Sequence, residues 1–363
     1  MGYRSVGYAA PRAAASLSRP RPSSNQEPFG HDKPSNCDRP SNYDKPSNYD
    51  KPSNYDKPSN QHKKRTPMSS KPKVWIEVAL NGAWPRALQP RIPVTAAEIV
   101  AEGVACVKAG AAIVHAHTLD PTTGRQNTDP DNCAAFIEGI RGAVDAIVYP
   151  TAVALPMPND AGQRCATTNE LTRRGILEWG VLDPGSCNFA TRESAANLFG
   201  GEGDVYANPP GVLRECAAHA AQQGWRPAYA CYEPGFIREG AKLQHTTPGI
   251  KTPVYRFMLS SSFTFCFPPR DWAVEALARL MAEEAPGAPW MVAGLHVDLL
   301  PLIPTIVALG GHVRVGLEDA PFQCPRSNEE LVREAAAAVR AAGAEPATAA
   351  EVRASLAATD RAA

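Results

Sequence analysis

Ala112-Ile-Val-His115-Ala-His117-Thr-Leu-Asp120 is the stretch from which the fold is read. Up to the first histidine its residues are small or β-branched, the make-up of a buried strand. Side chains alternate faces along a strand, so His115 and His117 point the same way. Two imidazoles at i and i+2, at the polar end of an apolar strand, form half a metal site. Taken alone, such a pair is more often one core histidine beside a chance surface histidine.

Gly310-Gly-His-Val-Arg314-Val-Gly316-Leu-Glu318-Asp319 decides between these readings. By period two, Arg314, Gly316 and Glu318 share one face of a second apolar strand. A charged pair on the inward face of a buried strand is costly unless something compensates it. A divalent cation held by His115, His117 and Glu318 compensates the glutamate. Two histidines and one carboxylate are the usual set for a catalytic Zn²⁺ with an open position. Arg314 is left to face an anionic substrate or the adjacent Asp319.

Outward from these two stretches, the pattern predicts strands near 74–80, 112–117, 146–151, 181–189, 226–232, 255–260, 290–293 and 312–317. Between them it predicts helices near 95–108, 129–144, 168–179, 209–223, 235–243, 270–284, 299–309 and 327–342, with a short last helix at 348–357. Thr95 with Glu98 three residues on is a capping box for the first helix. Strand and helix alternate about eight times, the signature of a parallel (β/α)8 TIM barrel. Chemistry in such barrels sits at the C-terminal strand ends. His117, Thr151, Ser186, Glu233 and Glu318 are all expected there. Glu77 and Asn81 share a face of the first strand, with no role assigned.

Further pieces are Asn81-Gly82 closing the first strand, and Asp120-Pro with Gly124-Arg125 after the histidines. Then come Ser186-Cys-Asn188-Phe189, Tyr232-Glu233-Pro-Gly235, Val292-Ala-Gly294 and Ser327-Asn328-x-x-Leu331-Val332. With the two opening stretches, they make the chain from about Lys73 onward resemble the β-keto acid cleavage enzyme family, of the 3-keto-5-aminohexanoate cleavage type. The resemblance implies a zinc-dependent barrel. It implies condensation of a β-keto acid with acetyl-CoA, giving acetoacetate and a new acyl-CoA. It also implies that Arg314 and Asp319 form a basic pair, that Thr151 and Ser186 supply hydroxyls for a carboxylate or oxyanion, and that Glu233 is a relay or a helix cap. Zinc would polarise the keto oxygen. A homo-oligomer, a tetramer, is carried from the family in the same way.

The chain departs from the family pattern in places. Trp84 stands where an acid or polar group is common. His115-Ala-His117-Thr-Leu-Asp120 replaces the frequent HxHxRD. The loop after the sixth strand, usually glycine-rich, is Leu259-Ser-Ser-Ser-Phe263-Thr-Phe265-Cys-Phe267-Pro-Pro. Leu295-His-Val-Asp298 replaces the commoner segment after the seventh. These changes fall on the CoA side and the substrate rim. They motivate a second reading, a CoA-independent zinc aldolase or retro-Claisen lyase; a third is a non-catalytic barrel that binds a metabolite. An amidohydrolase fits less well, because that class carries HxH on its first strand and needs histidines at later strand ends.

Residues 1–72 carry 13 Lys+Arg against 6 Asp+Glu and 11 of the 35 prolines, leaving 24 basic and 31 acidic residues in 73–363. The zero net charge is therefore two opposite parts cancelling, and the mildly acidic body argues against a nucleic-acid groove. Residues 31–60 are five copies of a hexapeptide ending Pro-Ser-Asn, a period that cannot bury a face, and 1–72 is expected to be a disordered extension. Met68 is a candidate alternative start; the Arg- and Ala-rich first residues also have the composition of a transit peptide. Nine cysteines without a CxxC pair fit reduced thiols in a cytoplasmic protein. No membrane span and no membrane partner are expected.

Overall fold

Ile76-Glu-Val-Ala79 (β1) is buried at every residue, as a strand covered on both faces must be. In the computed structural model it is one of eight parallel strands. The others are β2 (Ile113–Ala116), β3 (Ile147–Pro150), β4 (Trp179–Val181), β5 (Arg226–Cys231), β6 (Val254–Leu259), β7 (Trp290–Gly294) and β8 (His312–Val315). The structure describes residues 71–120, 122–151, 158–190 and 205–362. The chain divides into Met1–Arg65 and Thr66–Ala363, and every described residue belongs to the second unit. The hexapeptide repeat lies outside the described residues.

The ladder runs β3-β2-β1-β8-β7-β6-β5-β4. Its two ends, β3 and β4, meet through side chains, with the Tyr149 and Trp179 rings 5.7 Å apart. The sheet is a nearly closed (β/α)8 barrel. Around it run α1 (Ala96–Ala109), α2 (Pro130–Ala143), α3 (Ala161–Arg173), α4 (Pro210–Gln223), α5 (Pro234–Thr246), α6 (Asp271–Glu284), α7 (Ile303–Ala308), α8 (Asn328–Ala341) and α9 (Ala349–Ala362). Thr95 and Glu98 form the expected capping box on α1, and Ser327 and Glu330 form another on α8.

One register expectation is corrected. A helix over 168–179 followed by a strand over 181–189 is replaced by α3 and the short β4. Asp160 caps α3 by accepting from Gln163 N, and Gly175 ends it at φ 76°, with Ile176 N bonded back to Leu171 O. These two signals move the strand back to Trp179. Residues 187–188 belong instead to a small antiparallel ribbon with Val205–Tyr206. Likewise the seventh helix begins as a single 3-10 turn, Leu300–Leu302, with Pro301 inside it and Pro304 in the first turn of α7.

At the other end of the barrel, α9 is tied down by ions. Asp360 accepts two bonds from Arg226, at 3.0 and 2.6 Å, and one from Thr252 N. The Arg226 side chain is only 7% exposed, so Asp360→Ala strands a buried cation. We expect a loss of about 2–4 kcal/mol, or roughly 5–10 °C in Tm, read by thermal unfolding. An unchanged Tm would show that α9 is not held by this pair.

His312 opens β8 with its ring stacked on Trp75 at 4.0 Å and its Nδ1 accepting from Trp75 N at 3.2 Å. Burial pushes its pKa down from 6.5 to about 3. Below pH 6.5 the unfolded chain takes up a proton that the native ring does not. Stability therefore falls as pH drops from about 6.5 towards 3, by at most about 1.4 kcal/mol per pH unit. His312→Asn should flatten that part of the stability profile; an identical slope would exclude His312 as the source.

Candidate metal centre and active site

His115 on β2 and His117 just past it bring their rings to 5.2 Å, and Glu318 enters from beyond β8. Glu318 Oε2 lies 3.7 Å from His115 Nε2, and Oε1 lies 3.6 Å from His117 Nε2. One ligand atom from each of the three falls within 4.8 Å of the others. Burial holds the His115 pKa well below 6.5, so the ring is neutral, the form that ligates. His117 Nδ1 meets Gln126 Oε1 at 3.2 Å. An amide oxygen only accepts, so Nδ1 donates, which leaves Nε2 as the nitrogen that faces Glu318. Glu318 Oε2 is buried with no hydrogen-bond partner. A cation at the centre of the trio supplies what that oxygen lacks, and two imidazoles with one carboxylate suit a divalent ion.

The backbone holds these candidate ligands close. Asn81 at the end of β1 accepts from His117 N and donates to His117 O, both at 2.8 Å, fixing the strand end that carries the ligand. Gly316 sits at φ 140°, and a Cβ there would lie 2.1 Å from Ala79 O. Only glycine lets the chain turn so tightly against β1 and deliver Glu318. Trp84 Nε1 donates to Glu318 O at 2.8 Å. The tryptophan in place of an acid thus braces a ligand's backbone. Asp120 accepts from Thr122 N and Thr123 N, closing the turn that brings Gln126 to His117.

Arg314 joins the trio to the barrel floor. Its Nε and Nη2 fork onto Asp319 at 2.9 and 2.8 Å, Nη2 reaches Glu318 Oε1 at 2.6 Å, and Nη1 reaches Glu77 Oε1 at 3.5 Å. Glu77, 0% exposed, also accepts from Tyr149 at 2.6 Å and pairs with Arg256 at 3.3 Å. Burial raises the Asp319 carboxyl to about 6 against the pull of Arg314. Burial also raises Glu318, but the Arg314 charge and the imidazoles prevail and hold it well below 4.5. The two neighbouring carboxylates are thereby separated, one firmly ionised and one near its titration point, a division suited to ligand and base.

His115, His117, Glu318 and Arg314 open into a cavity of about 630 Å³ at the C-terminal ends of the strands, and Asp319 lies behind Arg314, outside its lining. Thr151, half-buried just past β3, lines it. Ser186 does not appear in its lining. Because β4 ends at Val181, Ser186 falls in the turn beyond, exposed, with its Oγ accepting from Asn208 N at 2.7 Å. Glu233 heads α5 without a side-chain cap bond, outside the lining and near the Cys187 and Cys266 thiols. The polar residue that lines the cavity just past β4 is Asp183, which sequence reasoning passed over. Its Oδ1 accepts from Ala230 N and its Oδ2 from Tyr206 OH, both at 2.7 Å, and burial raises its pKa. Arg256 was also missed. A lone arginine in the apolar run 254–259 was the available signal, the same one that identified Arg314.

A profile of the beta-keto acid cleavage enzyme family matches residues 73–357. The chain belongs to this family. Among curated relatives of this β-keto acid cleavage enzyme, the 3-oxoadipate:acetyl-CoA acetyltransferase of Cupriavidus necator is 30% identical over 308 residues, covering 77% of this chain and 93% of the relative. The 3-keto-5-aminohexanoate cleavage enzyme of Fusobacterium nucleatum is 28% identical over 289 residues, covering 77% and 96%. The 3-dehydrocarnitine:acetyl-CoA trimethylamine transferase of Rhizobium meliloti is 28% identical over 322 residues, covering 81% and 100%. Among solved structures, a ternary complex of ObcA with a C4-CoA adduct and oxalate superimposes with TM-score 0.60 at 18% identity, over 74% of this chain and 68% of that one. That likeness shows the shared fold. The chain is thus a TIM-barrel enzyme of the β-keto acid cleavage family. No helix among its described residues is long and apolar enough to cross a membrane, and its eight described cysteines are all free.

Proposed function

We propose that this chain is a zinc-dependent acyltransferase that condenses a β-keto acid with acetyl-CoA, giving acetoacetate and an acyl-CoA. The observation that carries the reading is the meeting of His115, His117, Glu318 and Arg314 at one cavity, with Asp319 forked onto Arg314 behind them. The curated relatives named for acetyl-CoA-dependent transfer support it. His115, His117 and Glu318 would hold the ion, which when bound supplies Lewis acidity to the keto oxygen.

In this reading Asp319, oriented by Arg314, takes the proton from the carbon between ketone and carboxylate. That carbon attacks the acetyl carbonyl, and the CoA thiolate leaves. The thiolate adds to the original ketone, and the bond between that carbon and the nucleophilic carbon breaks. Acyl-CoA departs, and the acetoacetate carbanion recovers the proton from Asp319. Thr151 holds the substrate carboxylate or the intermediate oxyanion. Ser186 acts through the ribbon it pins, by way of Asn208, and Glu233 acts as a polar relay outside the cavity lining. A cytoplasmic homo-oligomer, a tetramer, completes the reading; light scattering tests the assembly.

The second reading, CoA-independent cleavage, is favoured by one observation. The loop after β6 folds Phe263 and Phe265 inward, buried at 3% and 4%, where flexible glycines would let a phosphate approach. A β-keto acid panel incubated with and without acetyl-CoA separates the two. Acyl-CoA formed only with the thioester is expected. Turnover without it would reject the first reading.

A further inference from the structure

The half of the cavity facing the metal trio carries no charged side chain that is free to pair with a substrate. It is built from Phe189, Tyr206, Tyr232, Met258 and Leu295, at and beyond the ends of β4 to β7. A keto acid with its ketone and carboxylate against His115, His117, Glu318 and Thr151 occupies the ends of β2, β3 and β8. Its remaining substituent must then project across the barrel mouth onto this wall.

The wall is closed by its own contacts. Phe189 stacks on Tyr206 and on Phe265, each at 4.8 Å, and Tyr232 stands edge-on to all three at 5.5–5.8 Å. Rings this close are in van der Waals contact, so no socket remains among them in which a cation could be surrounded. A guest meets only their outer surface. Asp183 is the carboxylate nearest this wall, and both its oxygens are engaged, one by Ala230 N and one by Tyr206 OH. Arg256 at the floor is 2% exposed and engaged by Glu77, Tyr149 and Ala228 O. On this wall neither an anionic nor a cationic substituent finds an unengaged partner within reach: Arg256 Nε has no partner but is buried, and the exposed Arg125 lines the cavity on the turn that carries Gln126, on the histidine side.

We propose that the substituent on the keto carbon is uncharged and apolar, an alkyl or aryl group, and that Phe189, Tyr206, Tyr232, Met258 and Leu295 select it. The proposal rests on the β-keto acid reading and names the substrate class of that site. A charged end placed on this wall loses its water and gains no counter-charge, while an alkyl or aryl group loses nothing by leaving water.

The test uses the metal-loaded full chain with acetyl-CoA and four acids: 3-oxohexanoate, 3-oxo-3-phenylpropanoate, 3-oxoadipate and 5-amino-3-oxohexanoate. The first two are expected to show kcat/KM at least about 100-fold above the last two. Leu295→Arg, at a half-buried position on the wall, should raise the 3-oxoadipate to 3-oxohexanoate ratio by at least about tenfold. A charged acid cleaved as well as the apolar pair, or a ratio unmoved by Leu295→Arg in a folded protein, would overturn the proposal while leaving the β-keto acid reading standing. If none of the four is cleaved, that reading fails. Calorimetric titration with the stable 3-hydroxy analogues then still decides the pocket. Tighter binding of 3-hydroxyhexanoate than of 3-hydroxyadipate supports it, and equal or reversed binding overturns it.

Discussion

His115→Ala is expected to strip the metal from the protein and to lower turnover by at least about 10³-fold, roughly 4 kcal/mol of transition-state stabilisation. The argument starts from the trio's composition. With His115 gone, His117 and Glu318 are two ligands, and a chelate of two leaves most of the ion's affinity behind. Glu318 would then rely on Arg314 alone, which already holds Oε1 but leaves Oε2 buried without a partner. Metal analysis after dialysis against a weak chelator reads the first effect, and steady-state assay of the same sample reads the second. Identification of the ion in the wild-type protein tests zinc. Metal content and turnover both near wild type in the variant would remove the trio from the mechanism.

Asp319→Asn separates the ligand from the base. The carboxamide keeps an acceptor for Arg314 and nearly the same shape, but it cannot take a proton. We expect kcat to fall by about 10²–10⁴-fold with metal content unchanged and only a modest change in Tm. The comparison with Arg314 makes the assignment sharper. Arg314→Met would leave Glu77, Glu318 and Asp319 without their shared cation in a buried site, costing roughly 3–5 kcal/mol or more. That variant should fail to fold, so its inactivity would carry no information on catalysis. If Asp319→Asn folds, binds metal and works at the wild-type rate, the pair is a brace for β8. If His115→Ala is equally indifferent, the barrel is a binding protein.

The pairing of these predictions follows how the site was legible. His115 and His117 were readable because strand periodicity is local: two residues apart means the same face. Glu318 was readable because a carboxylate on the inward side of an apolar strand demands compensation. Strand 4 was not readable in the same way. Its helix ends at Gly175 rather than at Trp179, and that shift of the strand start exchanges Ser186 for Asp183 at the cavity. A hydroxyl was expected where a buried carboxylate stands, because placing a residue at a strand end inherits any error in where the strand lies. Arg256 carried the same signal as Arg314, an arginine in an apolar strand, but no motif drew attention to it. The bulky loop after β6 was noticed as a departure, yet only the fold shows Phe263 and Phe265 packed with Phe189 in one aromatic cluster.

Local chemistry in the chain was enough to determine the alternation of eight strands and helices and the capping box at Thr95, and to single out the three candidate ligands. Each depends on residues within a few positions of one another, or on the cost of burying a charge. The tertiary structure alone decided the rest. Glu77, Tyr149, Arg256 and Arg314 come from four strands and share one buried network. Asn81 clamps His117 from a neighbouring strand, and five side chains from separate segments make one apolar wall. Closure of the barrel sets these neighbours, and the distance along the chain between them carries no trace of it.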